Sequence, residues 1–152
     1  MSLETRIPPP VVALAAALLT WGIAQMAPRV ELPMAMRVAL SLVLLVVGIG
    51  ITASGIRTFR RARTTIDPRQ PQMASSLVRS GIYRITRNPM YLGILFVLVG
   101  WAVLLSSAWA LLGALAFMAY IGRFQIVPEE RALSSLFGTD YAAYKTIVRR
   151  WL

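Results

Sequence analysis

Residues 81–93 read Gly81-Ile82-Tyr83-Arg84-Ile85-Thr86-Arg87-Asn88-Pro89-Met90-Tyr91-Leu92-Gly93, and here a basic, polar segment gives way to a long apolar one. Asn followed by Pro is a helix-start signal, because Asn caps free backbone amides and the ring of Pro suits the first helical turn. A helix is therefore expected from Pro89, its positive dipole end facing the basic segment, with Arg84 and Arg87 reinforcing an anion-binding terminus. The apolar run then continues from Tyr91 to about Ile126, well past the ~20 residues that cross a bilayer core. Ser106-Ser107 interrupts it near the middle and reads as a tight turn between two antiparallel spans, 89–106 and 108–126.

Working upstream, two further apolar runs cover 8–27 and 38–56, joined by a short polar link that holds Arg29, Glu31, Pro33 and Arg37. The first run is expected to be a retained helix and not a cleaved leader: the preceding residues carry Glu4, and no small-x-small cleavage pattern follows. Gly48-Ile49-Gly50, with Ser54 and Gly55 beyond, has no strand before it. It reads as small residues that let helices approach and that permit a homodimer contact. The connection 57–88 is rich in Arg and broken by Pro68 and Pro71; a connection of this length is usually functional. Downstream, the tail 127–152 is amphipathic, with Leu133, Leu136, Phe137, Tyr141, Tyr144 and Val148 recurring at spacings of three and four, a pattern of helices lying on a membrane surface. The expected fold is an all-α polytopic membrane protein with about four transmembrane helices and interfacial C-terminal helices.

Composition supports the bilayer. Of 152 residues, 57% are hydrophobic and 14% charged, against roughly a quarter charged in soluble domains, and a single domain is the expectation at this length. The net charge of +10 sits between apolar runs, so it reads as orientation signals and contacts to anionic membrane lipids, not as a nucleic-acid surface. Fourteen of the sixteen Lys and Arg fall on the side shared by the N-terminus, the connection and the tail, which places both termini in the cytoplasm. With no Cys and no His, thiolate nucleophiles, imidazole bases and Cys or His zinc sites are excluded. Six acidic residues argue against a multi-carboxylate metal centre, and no metal is expected. The inventory favours chemistry whose reactive group a cofactor carries.

Two segments hold candidate chemistry. Tyr83 and Tyr91 bracket the helix start, where aromatic rings can line an adenine pocket or face a sulfonium; interfacial anchoring explains the same residues. Glu129-Glu130 follows Pro128 just beyond the fourth span, with Arg123 a turn or two earlier. A carboxylate there can accept hydrogen bonds from a ribose diol. It can equally be an acidic pair in the first turn of a helix that Pro128 starts.

In order and separation these segments resemble the isoprenylcysteine carboxyl methyltransferase and phospholipid N-methyltransferase superfamily, in a small bacterial form. Leu77-Val78, Gly81 and Tyr83 match a "Leu-Val-x-x-Gly-x-Tyr" lead; Arg87, Pro89, Tyr91 and Gly93 match "Arg-His-Pro-x-Tyr-x-Gly"; Glu129-Glu130, Leu133, Phe137-Gly138, Tyr141 and Tyr144 form the second block. The match spans 64–150. The resemblance implies a single membrane methyltransferase domain over 1–152 and transfer of a methyl group from S-adenosylmethionine to a lipid-like acceptor, an isoprenylcysteine carboxylate or a phospholipid amine. It also implies cofactor contacts from Leu77, Val78, Gly81, Tyr83, Asn88, Pro89, Met90, Tyr91 and Glu130, with Arg123 and Glu129 on the substrate side. Asn88 replaces the family histidine; its amide can hold a hydrogen bond to the cofactor but cannot titrate near neutrality. Two other readings stay open: a reductase-like module with a nicotinamide cofactor, and a non-catalytic accessory protein.

Overall fold

The computed structural model describes residues 4, 6–62 and 76–152. Among them, five helices carry the fold: α1 (Pro9–Met26), α2 (Met34–Ala62), α3 (Pro89–Leu104), α4 (Leu111–Ile121) and α5 (Val127–Ile147). Short 3-10 turns lie at Gly81–Arg84 and Ala108–Ala110, and a π turn at Gly122–Ile126 joins α4 to α5. The only strand-like pairing among the described residues is one isolated bridge between Thr86 and Arg149. Pro9–Met26, Met34–Ala62 and the continuous helical run Ala108–Ile147 are long and apolar enough to cross a membrane, and Pro89–Leu104 is a shorter apolar helix of 16 residues. Large side chains face outward along α2, with Leu42 at 54%, Val43 at 60% and Val46 at 68% exposure. In water that stripe would be a costly apolar patch; against lipid it faces a matching solvent. The molecule is an all-α polytopic membrane protein.

Small residues set the helix contacts. A Cβ on Gly93 would overlap Thr52 and the Gly48 carbonyl, and one on Gly48 would overlap the Gly93 carbonyl, so α2 and α3 touch backbone to backbone. Ser41 Oγ donates to the Gly100 carbonyl at 2.9 Å further along the same seam. Gly113 of α4 packs likewise on Thr20 and Ala16 of α1. Between these pairs lies a core of Val12, Ala16, Tyr91, Leu98, Phe117, Ile121 and Ile126, and Trp101 Nε1 donates to the Ala17 carbonyl at 3.1 Å. At the far end, Ser106 turns the chain with φ +55. Its Oγ donates to the Val30 carbonyl at 2.6 Å, while Val30 N–H donates to the Ser106 carbonyl at 2.7 Å. Arg37 Nε donates to the Leu104 carbonyl at 3.1 Å and satisfies the end of α3.

Several local expectations change. α2 does not stop at 56 but carries Arg57, Arg60 and Arg61 in helix through Ala62, because Arg and Ala extend a helix at little cost. Pro68 and Pro71, with the rest of 63–75, lie outside the described residues. Pro128 and the Glu129-Glu130 pair do stand in the first turn of α5, but that helix continues from the one before it without a break in helical backbone. The π turn widens the backbone just before that ring, and the helix passes through. The bend comes instead at Gly138, with φ +46 and ψ −119, a region open to glycine. Gly48 is engaged inside the chain, and Gly50 faces open space.

Candidate functional site

A cavity of about 330 Å³ opens where α3 begins and α5 leaves the π turn. The segment before α3 reaches it through Gly81, whose φ of +58 makes a turn beside Thr58 that a Cβ would crowd. The 3-10 turn then buries Tyr83, which meets Phe59 of α2 edge to face at 5.2 Å. Tyr144 of α5 donates its phenol to the Tyr83 carbonyl at 2.6 Å. Burial above all, then Tyr144 and Glu129, pushes the Tyr83 phenol well above its ordinary value, so the ring stays neutral.

The two adjacent carboxylates have different surroundings. Glu129 is partly buried and accepts from the Tyr91 phenol at 2.5 Å; among the described residues it has no ion pair. Glu130 is gripped by two guanidiniums. Arg150 Nε and Nη2 donate to Oε1 and Oε2 at 3.1 and 2.7 Å, and Arg87 Nη1 lies 3.2 Å from Oε1. Hydrogen bonding to Glu130 raises Arg150 further above its already high value, so the guanidinium stays charged. Arg87 Nε is buried and has no hydrogen-bond partner among the described residues.

Of the residues expected from the sequence, Leu77, Val78, Tyr83, Asn88, Met90, Tyr91, Glu129 and Glu130 line this one cavity. Gly81, Pro89 and Arg123 do not. Gly81 turns the backbone, and Pro89 packs on Gly55 behind the wall. Arg123 is exposed and pairs at 3.2 Å with Glu4, which also binds Arg131 at 2.7 Å; those two hydrogen bonds, Arg131 first, hold the Glu4 carboxyl below its usual range. Asn88 precedes α3, yet its side chain does not cap it: Nδ2 donates to the Arg150 carbonyl at 2.8 Å. Tertiary packing offered a partly buried carbonyl, and the amide satisfied that instead of the helix end.

Sequence reasoning missed the contribution of α2, where Thr52 and Phe59 form part of the wall, and that of Pro9 and Pro10 at the start of α1. A signal was present: Gly48, Thr52, Gly55 and Phe59 recur at spacings of four, three and four, one face of a helix. Tyr141 and Tyr144, noted for their helical spacing and as matching positions but not as site residues, also line the cavity.

The space falls at the lower end of the ~300–1,000 Å³ typical of small-molecule sites. Aromatic faces and a carboxylate fixed by two arginines suit a nucleotide-like molecule that bears both charge signs. These features define a helical membrane protein with a cavity of small-molecule size at one end of its bundle. The phospholipid methyltransferase family model matches residues 36–140, and the chain belongs to that family. It is 34% identical over 106 residues to protein-S-isoprenylcysteine O-methyltransferase A of Arabidopsis thaliana, covering 68% of this chain and 52% of that protein. Its B counterpart from the same plant is 31% identical over 106 residues, with the same shares covered. An uncharacterized protein of Haemophilus influenzae is 46% identical over 63 residues, which is 41% of this chain and all of that protein. The match thus spans about half the length of the plant relatives. No solved structure matches the chain.

Proposed function

We propose that this chain is a methyltransferase that uses S-adenosylmethionine and acts on a lipid-like acceptor, an isoprenylcysteine carboxylate or a phospholipid amine. The observation that carries this reading is the meeting of the Tyr83–Tyr91 segment and the Glu129-Glu130 pair around one cavity in a member of the phospholipid methyltransferase family. The cofactor supplies a methyl group already activated on a sulfonium. The residues that hold it are Leu77, Val78, Tyr83, Asn88, Met90, Tyr91 and Glu130, with Gly81 and Pro89 shaping the backbone behind them.

The protein's own task is then alignment and exclusion of water, which a site without His or Cys can perform. Glu129 lies on the acceptor side: for an amine it takes the departing proton, and for a carboxylate acceptor no base is needed. The acceptor reaches the cavity from the bilayer between the helices. The cavity mouth faces the cytoplasm, since Arg57, Arg60, Arg61, Arg84, Arg87 and the basic tail lie at that end.

The test is incubation of purified protein in lipid nanodiscs with methyl-labelled S-adenosylmethionine and extracted membrane lipids, followed by mass spectrometry. A labelled lipid or lipidated cysteine names the acceptor. Label confined to water-soluble acceptors overturns the lipid assignment. Tight nicotinamide-cofactor binding without S-adenosylmethionine binding overturns the methyltransferase reading.

A further inference from the structure

We infer that Arg150, which lies behind the cavity, is the positioning residue that fixes the Glu130 carboxylate for ligand binding, and that the backbone of segment 148–150 is a structural part of the site. The inference rests on the proposed methyltransferase reading for the identity of the ligand.

After α5 the chain folds back onto the segment that starts α3. Arg87 N–H donates to the Arg149 carbonyl at 3.0 Å. Thr86 Oγ1 and Asn88 Nδ2 both donate to the Arg150 carbonyl, at 3.3 and 2.8 Å. Val148 is buried against Tyr141 and Tyr144. The Arg150 backbone is thus held from two sides, and its side chain is aimed at Glu130. The resulting fork is bidentate, with one guanidinium nitrogen on each carboxylate oxygen, a geometry that fixes orientation as well as charge. Arg87 approaches the shared oxygen from the cavity side. The Glu130 side chain is 17% exposed and that of Arg150 39%, so the carboxylate faces the cavity while the Arg150 head lies outside its lining.

Two buried or half-buried arginines for one carboxylate is more than charge balance requires. Arg87 alone would neutralise Glu130 but would leave it free to rotate about its own bonds. Arg150 removes that freedom, so less ordering remains to oppose ligand binding. Nothing in the sequence flags this role, because Arg150 is one of two adjacent arginines. Only the fold separates them: Arg149 is exposed, and its side chain has no partner among the described residues.

The test uses the full chain in nanodiscs, with two readouts. The first is thermal unfolding without cofactor for R150Q, E130Q and the double variant. If the pair is coupled, the double variant loses less than the sum of the single losses; strictly additive losses overturn the inference. The second is equilibrium binding of labelled S-adenosylmethionine. R150Q weakens binding about tenfold, R150K recovers part of the loss because Lys offers a point charge without the fork, and R149Q binds as wild type. Equal losses in R149Q and R150Q, or wild-type binding by R150Q, overturn the inference. If R150Q does not yield folded protein, R150K carries the test: binding weakened at least about twofold supports the fork, and unchanged binding overturns it. Wild-type protein that binds no S-adenosylmethionine overturns the functional reading, and this inference with it. A null confined to the variants overturns this inference alone.

Discussion

The phenol of Tyr91, in the first turn of α3, donates to the carboxylate of Glu129, in the first turn of α5, at 2.5 Å. Residues far apart in sequence thereby place an acid beside a cavity, with one neutral partner and no cation among the described residues. Tyr91→Phe removes that partner. It is expected to cost about 1–3 kcal/mol of stability, the penalty for leaving a partly buried polar group unsatisfied, read as a lower Tm in nanodiscs.

Glu129 itself separates the two acceptor chemistries. With an amine acceptor, Glu129→Gln should lower kcat about 100-fold, the usual loss when a positioned base is removed. With a carboxylate acceptor no proton leaves, and the loss should stay below about tenfold. Labelled-methyl transfer to each lipid class checks this.

Phe59 comes from a helix that carries no recognised motif, yet its ring meets Tyr83 at the cavity wall. Phe59→Ala should weaken S-adenosylmethionine binding about three- to tenfold, matching the ~0.5–1.5 kcal/mol of an aromatic pair. Binding isotherms decide it.

Two glycines of similar appearance should behave differently. Gly93→Ala forces a Cβ into Thr52 and the Gly48 carbonyl and should destabilise by about 1–3 kcal/mol through overpacking. Gly50→Ala meets open space and should be neutral or stabilising by up to about 1 kcal/mol, since alanine loses less entropy in a helix. Thermal unfolding of the two variants side by side is the measurement.

Arg123→Gln tests whether distance from the cavity matters. The guanidinium is exposed and bound to Glu4, so methyl transfer should stay within about twofold of wild type, as for most surface charges. A loss of tenfold or more in the same labelled-methyl assay would bring Arg123 back to the substrate side.

The sequence by itself determined that this chain is helical and lives in a bilayer. Apolar runs long enough to cross the hydrocarbon must pair their backbone internally, and helices do so. It also located the turn at Ser106 and the two segments that meet at the site, because Pro89, Tyr91 and the Glu129-Glu130 pair stand at the ends of apolar runs. What only the tertiary structure decided is which side chains face one another. Asn88 holds the Arg150 carbonyl and leaves its helix uncapped, Arg123 pairs with Glu4 outside the cavity, and Arg150 in place of Arg149 grips Glu130. Each outcome depends on which buried polar group lies within ~3 Å once the helices have packed, and spacing along one chain holds no record of distances between segments.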